Sequence, residues 1–175
     1  MSEKEYELIR PDEKYADQIK NYRQVFLKKH QSFDGTSGLQ NYEDPLAWIS
    51  YVKRFEQPDT VPEGMVPADQ FLYIRKADDC LTGMIQVRRK LNEFLSLTGG
   101  HIGYSVLPKE RRKGIATKML ADVLPYCRKL GLSQVLLTCR KDNTGSRNVI
   151  VANGGVYEGD IATADSIHER YWIYL

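Results

Sequence analysis

The sequence predicts one α/β domain built on a mixed, mostly antiparallel sheet of six or seven strands flanked by helices. Three observations lead to this prediction. A length of 175 residues suits one domain and is too short for two comfortable ones, so residues 1–175 are treated as a single domain. A hydrophobic fraction of 42% with 27% charged residues is typical of a folded globular chain. Short apolar runs also alternate with segments of helical periodicity along the chain.

The first part of the chain predicts a strand, a helix and a long irregular segment. Residues 6–9 alternate weakly as a strand, and the helix that follows Pro11 has an apolar face. Residues 31–70 are interrupted by glycines and prolines and hold one short apolar helix around Trp48. Because loops of this length usually form a lid or a binding wall, we expect the 31–70 insertion to line a ligand site.

A hairpin and a further strand make up the middle of the chain. Residues 71–75 and 81–88 have the apolar character of buried strands, and Asp78 lies in the turn between them. A connection over residues 92–100 then leads to another predicted strand at residues 102–106.

Helices and strands alternate in the second half. A helix with one apolar face ends before Gly131, a typical residue after a helix C-terminus, and Pro125 within this helix predicts a kink. Residues 134–139 suit a buried central strand, parallel to the 102–106 strand through a right-handed crossover. A last helix and two closing strands follow at residues 143–153, 156–161 and 167–174.

Composition excludes several classes of protein. The formal net charge of +2 gives no global reason to expect a nucleic-acid-binding or anionic-membrane protein. No apolar run approaches the roughly 20 residues that cross a bilayer, and the charged N-terminus lacks a signal-peptide pattern. The three cysteines and three histidines are scattered, which argues against a disulfide framework and a metal site. We therefore expect a cytoplasmic protein without a metal ion.

A basic turn containing a glycine joins the 102–106 strand to the next helix. The N–H groups of a first helical turn lack partners within the helix, and the helix dipole adds about half a positive charge there, so this geometry favours an anion site. The turn lacks the signatures of a P-loop and of a dinucleotide-binding loop. A solvated basic turn is the alternative interpretation. The residues predicted to bind an anion are Arg111, Arg112, Lys113, Gly114, Ile115, Ala116 and Thr117.

Three residues of this turn, Arg111, Gly114 and Ala116, follow a pattern of Gln or Arg, two residues, Gly, one residue, and Gly or Ala. The turn thereby resembles the acyl-CoA-binding motif of the GNAT superfamily of N-acetyltransferases. The resemblance covers essentially the whole chain. In detail, the sequence is similar to a branch of bacterial predicted acetyltransferases. It implies that the two central parallel strands splay apart, that acetyl-CoA binds between them, and that an acetyl group is transferred to a primary amine by direct attack.

The resemblance also implies roles for individual residues in cofactor binding. The backbone amides of residues 112–117 would hold the pyrophosphate, and the backbone of Val106 would pair with the pantetheine arm. A backbone N–H near Val106 is the expected donor to the oxyanion. Asn143 and Ser146 match positions that commonly contact the pantetheine or its thiol end. A helix N-cap is the alternative role of Asn143, and the two roles are compatible.

The catalytic acid and base are less well defined. Many members of the superfamily carry a tyrosine seven residues after the asparagine as the proton donor to sulfur, whereas this chain has Ile150. Ser146 or a water molecule is the expected substitute. An amine of lysine type has a pKa near 10.4, so a general base or a water relay is useful at neutral pH. The candidate bases are His101 and Glu93, and their alternatives are a structural histidine and a solvated loop carboxylate.

The acceptor is expected to be a small-molecule or peptide amine. Asp34 and Tyr42 of the 31–70 insertion would frame a cationic amine through a carboxylate and a ring face, whereas Trp48 is more consistent with packing. Exposed closing strands also allow a homodimer. Two rival functions stay open: a non-catalytic acyl-CoA-binding module, and a nucleic-acid-binding domain whose affinity would depend steeply on salt.

The charge of the chain is unevenly distributed. Residues 105–148 hold ten Lys and Arg against three Asp and Glu, a net of +7, which leaves −5 for the remainder. The near-neutral total is therefore a cancellation. This distribution agrees with one polyanionic cofactor held locally and argues against a generally basic nucleic-acid binder.

Overall fold

The computed structural model describes residues 4–175, so residues 1–3 of the charged N-terminus lie outside the described residues. The helices are α1 (Ala16–Lys28), α2 (Pro45–Lys53), α3 (Glu93–Leu97), α4 (Ile115–Lys129) and α5 (Thr144–Ala152). The strands are β1 (Tyr6–Ile9), β2 (Ala68–Arg75), β3 (Cys80–Arg88), β4 (Ile102–Val106), β5 (Gln134–Arg140), β6 (Val156–Ala162) and β7 (Ile167–Tyr174).

The seven strands form two antiparallel sheets flanked by helices, which confirms the predicted fold class. One sheet has the order β1-β2-β3-β4 and the other has the order β5-β7-β6. The separation of the central strands goes further than expected, because no ladder joins β4 to β5 within residues 4–175. Each sheet therefore presents a free edge to the gap between them.

Two apolar cores lie on opposite faces of the four-stranded sheet. The first packs α4 and the three-stranded sheet against it, and the second packs α1 and α2 on the other face. Strand β2 alternates between them, since Tyr73 faces the first core and Leu72 faces the second. Burial on both faces explains why this strand is an almost continuous apolar run. Trp48 is fully buried in the second core, in agreement with the packing role expected for it.

The helix that follows the basic turn is defined by glycines at both ends. Gly114 is left-handed at its N-cap with a φ of 76°, and Gly131 follows its C-terminus with a φ of 82°. The helix continues through Pro125, and its apolar face is buried in the first core. Both glycines thus mark the boundaries that the sequence predicts.

Two elements differ from the sequence-based expectation. The predicted connection over residues 92–100 contains α3, whose first turn is capped because Asn92 Oδ1 accepts from Leu95 N at 2.9 Å. Strand β2 also begins at Ala68, three residues earlier than expected. Within residues 4–175, no helix combines the length and the apolar character needed to cross a membrane.

Candidate functional site

The residues just before β4 are bonded to β5, and the two strands separate beyond this contact. His101 N donates to Leu136 O at 2.7 Å, and Leu136 N donates to His101 Nδ1 at 2.9 Å. The preceding Gly100 has a φ of 64°, and a Cβ there would overlap the Leu136 carbonyl oxygen. Only glycine permits this close approach. The two sheets are therefore held together at one end of the gap, and a cleft opens beside it.

The cleft has a volume of about 1030 Å³ and is lined by several segments of the chain. Strand β4 and the ends of β3 and β5 form its floor and sides. The first turns of α4 and α5, residues 31–38, and the turn between β6 and β7 complete its walls. The basic turn before α4 and the start of α5, which are far apart in sequence, thus face one space.

The free edge of β4 directs backbone groups into this cleft. Leu107 N donates to Thr82 O at 2.9 Å, so every second residue of β4 points its N–H and C=O groups toward β3. By this alternation the N–H groups of Tyr104 and Val106 point into the gap. Arg111 Nε donates to the Val106 carbonyl oxygen at 3.0 Å. The backbone of Val106 thus faces the gap, the side of β4 on which the sequence-based expectation puts an oxyanion donor.

The basic turn provides an open anion cradle. No atom would lie within 4 Å of a Cβ at Gly114, and the first N–H groups of the fifteen-residue α4 face the cleft beside it. Arg111 and Arg112 line the cleft with this turn. Ile115 contributes its backbone, because its side chain is buried in the first core.

Lys113 is placed differently from the rest of the turn. It is not among the residues that line the cleft, and its Nζ lies 3.0 Å from Glu110 Oε2. Glu110 is buried and also pairs with Arg75 at 2.9 Å, and these two cations, Arg75 first, lower the pKa of its carboxyl. Lys113 is therefore held in an ion pair beside the cleft and not in its lining, which does not favour the predicted role in cofactor binding.

A pair of hydroxyl groups bridges β4 and α5. Tyr104 OH and Ser146 Oγ share a hydrogen bond of 2.8 Å, and both residues line the cleft. Burial raises the pKa of Tyr104, so its phenol stays protonated at neutral pH. Asn143 Oδ1 accepts from Ser146 N at 3.0 Å and thereby caps α5. Ile150 is buried in the first core, so a phenol reaches this region from β4 and not from α5.

The two candidate bases do not line the cleft. His101 is buried, and burial followed by the charge of Arg88 lowers its pKa. Since Nδ1 accepts from Leu136 N, the proton of the neutral ring lies on Nε2. Glu93 is exposed in the first turn of α3. This geometry favours a structural role for His101 and does not support either residue as the base.

Residues 31–38 form one wall of the cleft. A Cβ at Gly35 would overlap the Gly103 carbonyl oxygen, so this loop packs directly on β4. Gln70 Nε2 donates to Gly35 O at 2.7 Å, and Trp48 Nε1 donates to Thr36 O at 2.8 Å. The loop is thereby anchored to β2 and to the second core.

Only this part of the 31–70 insertion reaches the cleft. Asp34 lines the wall and is exposed, and its carboxylate accepts from Ser32 Oγ at 2.9 Å. Tyr42 is outside the cleft, where its ring stacks on Tyr51 at a centroid distance of 5.1 Å. The structure thus places Asp34, but not Tyr42, in the cleft lining.

Sequence reasoning missed Tyr104 and did not anticipate Cys139 in the wall. Cys139 of β5 lines the cleft, and burial raises the pKa of its thiol to about 11, so it is a poor nucleophile. The one signal that pointed to Tyr104 is its position two residues before Val106, on the same edge of the strand. Among residues 4–175, no group of histidine, cysteine and carboxylate side chains is arranged to hold a metal ion.

Comparison with known proteins gives a consistent result. The model of the acetyltransferase (GNAT) family matches residues 5–154. Ribosomal-protein-serine acetyltransferase of Escherichia coli (strain K12) is 27% identical over 134 residues, which cover 74% of this chain and 73% of that protein. Ribosomal-protein-S5-alanine acetyltransferase from Vibrio fischeri has a TM-score of 0.75 at 18% identity, over 99% of this chain and 95% of that chain.

A further solved structure with this fold is the microcin C7 self-immunity acetyltransferase MccE in complex with acetyl-CoA and AMP. Its TM-score is 0.74 at 18% identity, and the match covers 99% of this chain and 94% of that chain.

Proposed function

The chain belongs to the acetyltransferase (GNAT) family, and we propose that it transfers the acetyl group of acetyl-CoA to a primary amine by direct attack in a ternary complex. The observation that carries this proposal is a single cleft that combines three parts. These parts are the anion cradle at the start of α4, the inward N–H groups of β4, and the hydroxyl pair of Tyr104 and Ser146.

The cleft fits the parts of acetyl-CoA in order. The N–H groups of residues 112–117, with Arg111 and Arg112, would hold the pyrophosphate, because this turn is open and positively charged. The free edge of β4 would pair with the amide groups of the pantetheine arm. Asn143 and Ser146 at the start of α5 would lie near the thiol end.

Three events in the transfer need a protein group. The developing oxyanion needs a fixed donor, for which the N–H of Val106 is placed on the cleft side of β4. The leaving thiolate needs a proton, which Ser146 would supply while the protonated phenol of Tyr104 replenishes it. The amine must lose a proton, and we assign this step to water near Asp34, since His101 and Glu93 lie outside the cleft lining.

The two rival functions receive less support. Membership of the family and the hydroxyl pair of Tyr104 and Ser146 favour an enzyme over a passive acyl-CoA-binding module. The ion pair of Lys113 with Glu110 weakens the basic turn as a nucleic-acid surface. The proposal is tested by thiol release from acetyl-CoA over a panel of amines. We expect amine-dependent release, whereas saturable CoA binding without turnover on any amine would contradict it.

We also propose that the three-stranded sheet pairs with a second copy. Val156, Tyr157 and Tyr174 are each more than half exposed on or beside the edge strand β6. An apolar sheet edge of this kind favours association. Sedimentation is expected to show a dimer that Val156→Lys dissociates, and a monomeric wild-type protein would contradict this.

A further inference from the structure

The last residue of β3, Arg88, places a guanidinium group in the cleft lining, beside the residues that join the two sheets through His101 and Leu136. Its NH1 donates to the carbonyl oxygens of Gly99 and Gly100 at 3.0 and 3.1 Å. Among the described residues, no carboxylate forms an ion pair with it. Its Nε and NH2 donors are therefore available to a ligand in the cleft.

This arrangement differs from that of other partly buried arginines in the protein. Arg10 and Arg89 both pair with the buried Asp69, at 2.8 and 2.7 Å, and Arg147 pairs with Glu169 at 2.7 Å. A desolvated cation without a counterion is unfavourable, and burial lowers the pKa of Arg88 to about 10, so the group is still charged at neutral pH. A bound anion would supply the missing partner.

A second unused polar group faces the same space. Gln86 lies two residues before Arg88 and so projects from the same face of β3. It is buried at 8% exposure and lines the cleft, and within residues 4–175 its side-chain amide has no hydrogen-bond partner. The end of β3 thus presents the guanidinium N–H groups of Arg88 and the side-chain amide of Gln86 to one ligand.

The neighbouring loop carries the complementary charge. Asp34 lines the same cleft, and its charge and that of Arg88 attract each other without forming an ion pair. Both Arg88 and Gly35, the residue after Asp34, lie beside Gly103. A carboxylate and a guanidinium in one cleft suit a ligand that has both an ammonium and a carboxylate group.

We propose that the acceptor carries a carboxylate close to its reactive amine, that Arg88 binds this carboxylate, and that Asp34 orients the amine. This inference rests on the proposed function, because it names the class of acceptor for the same cleft. Two sources share this chemistry: a free α-amino acid, and a peptide with an acidic residue beside its N-terminus.

The test compares acceptors that differ only in the anionic group. Serine is paired with serinamide, and a peptide that begins Ser-Asp is paired with one that begins Ser-Asn; spermidine serves as a purely cationic acceptor. We expect kcat/KM to be about tenfold or more higher for the carboxylate member of one pair, as a charge-assisted bidentate contact would give. The pair that shows the preference identifies the source.

Variants of Arg88 and of the neighbouring Arg89 then test whether Arg88 causes the preference for a carboxylate. Arg88→Gln is expected to reduce the carboxylate preference to about one while acetyl-CoA affinity is unchanged, and Arg88→Lys should retain part of it. Arg89→Gln, which breaks a pair with Asp69 outside the cleft, should lower thermal stability and keep the preference. Equal rates on both members of each pair in the wild type, or an intact preference in Arg88→Gln, would overturn the inference.

Calorimetry separates this inference from the proposed function. If no amine releases thiol, binding of serine or of the Ser-Asp peptide to the CoA-saturated protein is measured in the wild type and in Arg88→Gln. Binding that depends on Arg88 would support the inference and contradict the transferase. Thiol release without carboxylate preference would contradict the inference alone, and the absence of both would overturn both.

Discussion

The imidazole of His101 accepts the backbone N–H of Leu136, as a carbonyl group of a neighbouring strand would do. Its Nδ1 accepts the Leu136 N–H at 2.9 Å, while the His101 N–H donates to the Leu136 carbonyl oxygen at 2.7 Å. These two bonds join the two sheets at the point where the cleft begins. A side chain that sequence reasoning considered as a base therefore holds the walls of the site in register.

Replacement of His101 by alanine is expected to lower the free energy of unfolding by about 1–3 kcal/mol, because the buried Leu136 N–H loses its acceptor. Urea denaturation measures this change. His101→Asn is the matched control, since its amide oxygen is able to accept the same bond, and it should recover part of the loss.

The same contact predicts a pH dependence of stability. Burial lowers the pKa of His101 below its ordinary value of 6.5, so the unfolded chain binds a proton more readily than the folded protein. The stabilisation is complete above about pH 6.5 and is lost as the pH falls through the folded-state pKa. Equal acid destabilisation of the wild type and His101→Asn would contradict this.

Gly114→Glu should weaken acetyl-CoA binding by about a hundredfold, because it adds a negative charge to the phosphate cradle. Gly131→Glu is a matched control: both glycines have a similar positive φ and no atom within 4 Å of an added Cβ, but Gly131 is outside the cleft. Calorimetric titration with CoA compares them. An equal loss of affinity in both variants would indicate backbone strain and not the cradle.

Tyr104→Phe is expected to lower kcat by about tenfold to a hundredfold with little change in the KM for acetyl-CoA, since it removes the proton source behind Ser146. Tyr22→Phe is the control, because Tyr22 is outside the cleft lining, although its hydroxyl bonds Ser105 Oγ of the same strand at 2.9 Å. Additive effects of Tyr104→Phe and Ser146→Ala would argue against a shared proton path.

Arg112→Gln should raise the Kd for CoA by about tenfold, whereas Lys113→Gln should change it by less than about twofold. The reason is that Arg112 lines the cleft, while Lys113 is paired with Glu110. Titration with CoA at fixed ionic strength measures both. A larger effect of Lys113→Gln would show that its ion pair opens when the cofactor binds.

Gly35→Ala is expected to raise the KM for the amine severalfold and to leave the Kd for CoA nearly unchanged, because the added Cβ pushes the loop away from β4. Gly38→Ala is the control on the same loop: its φ is similar, at 75° against 70°, and its Cβ would meet only the Asn41 side chain at 3.5 Å. Similar KM values in the two variants would contradict a role for this wall.

Local features of the chain were predictable from the sequence. The strands, the two glycines around α4 and the cap of α5 by Asn143 each depend on residues that are near one another in the chain. The five-residue α3 was not predicted, since it is too short to show a helical period.

Features of the site that depend on distant residues were not predictable. Tyr104 and Ser146 are hydrogen-bonded although they lie 42 positions apart in the sequence. Lys113 forms an ion pair with Glu110, which also pairs with the distant Arg75. The position of His101 likewise follows from the approach of Leu136, which no local pattern encodes. Burial and pairing of polar groups are tertiary effects, so residue type alone does not show how these side chains are placed.

The two apolar cores support different parts of the proposed site. The cofactor cradle is built on the first core, whereas the loop that carries Asp34 is anchored through Trp48 to the second. Mutations in the proposed acceptor wall are therefore expected to disturb a different packing unit from the one that supports the proposed acetyl-CoA cradle. A change of acceptor would then leave the packing behind the cradle intact.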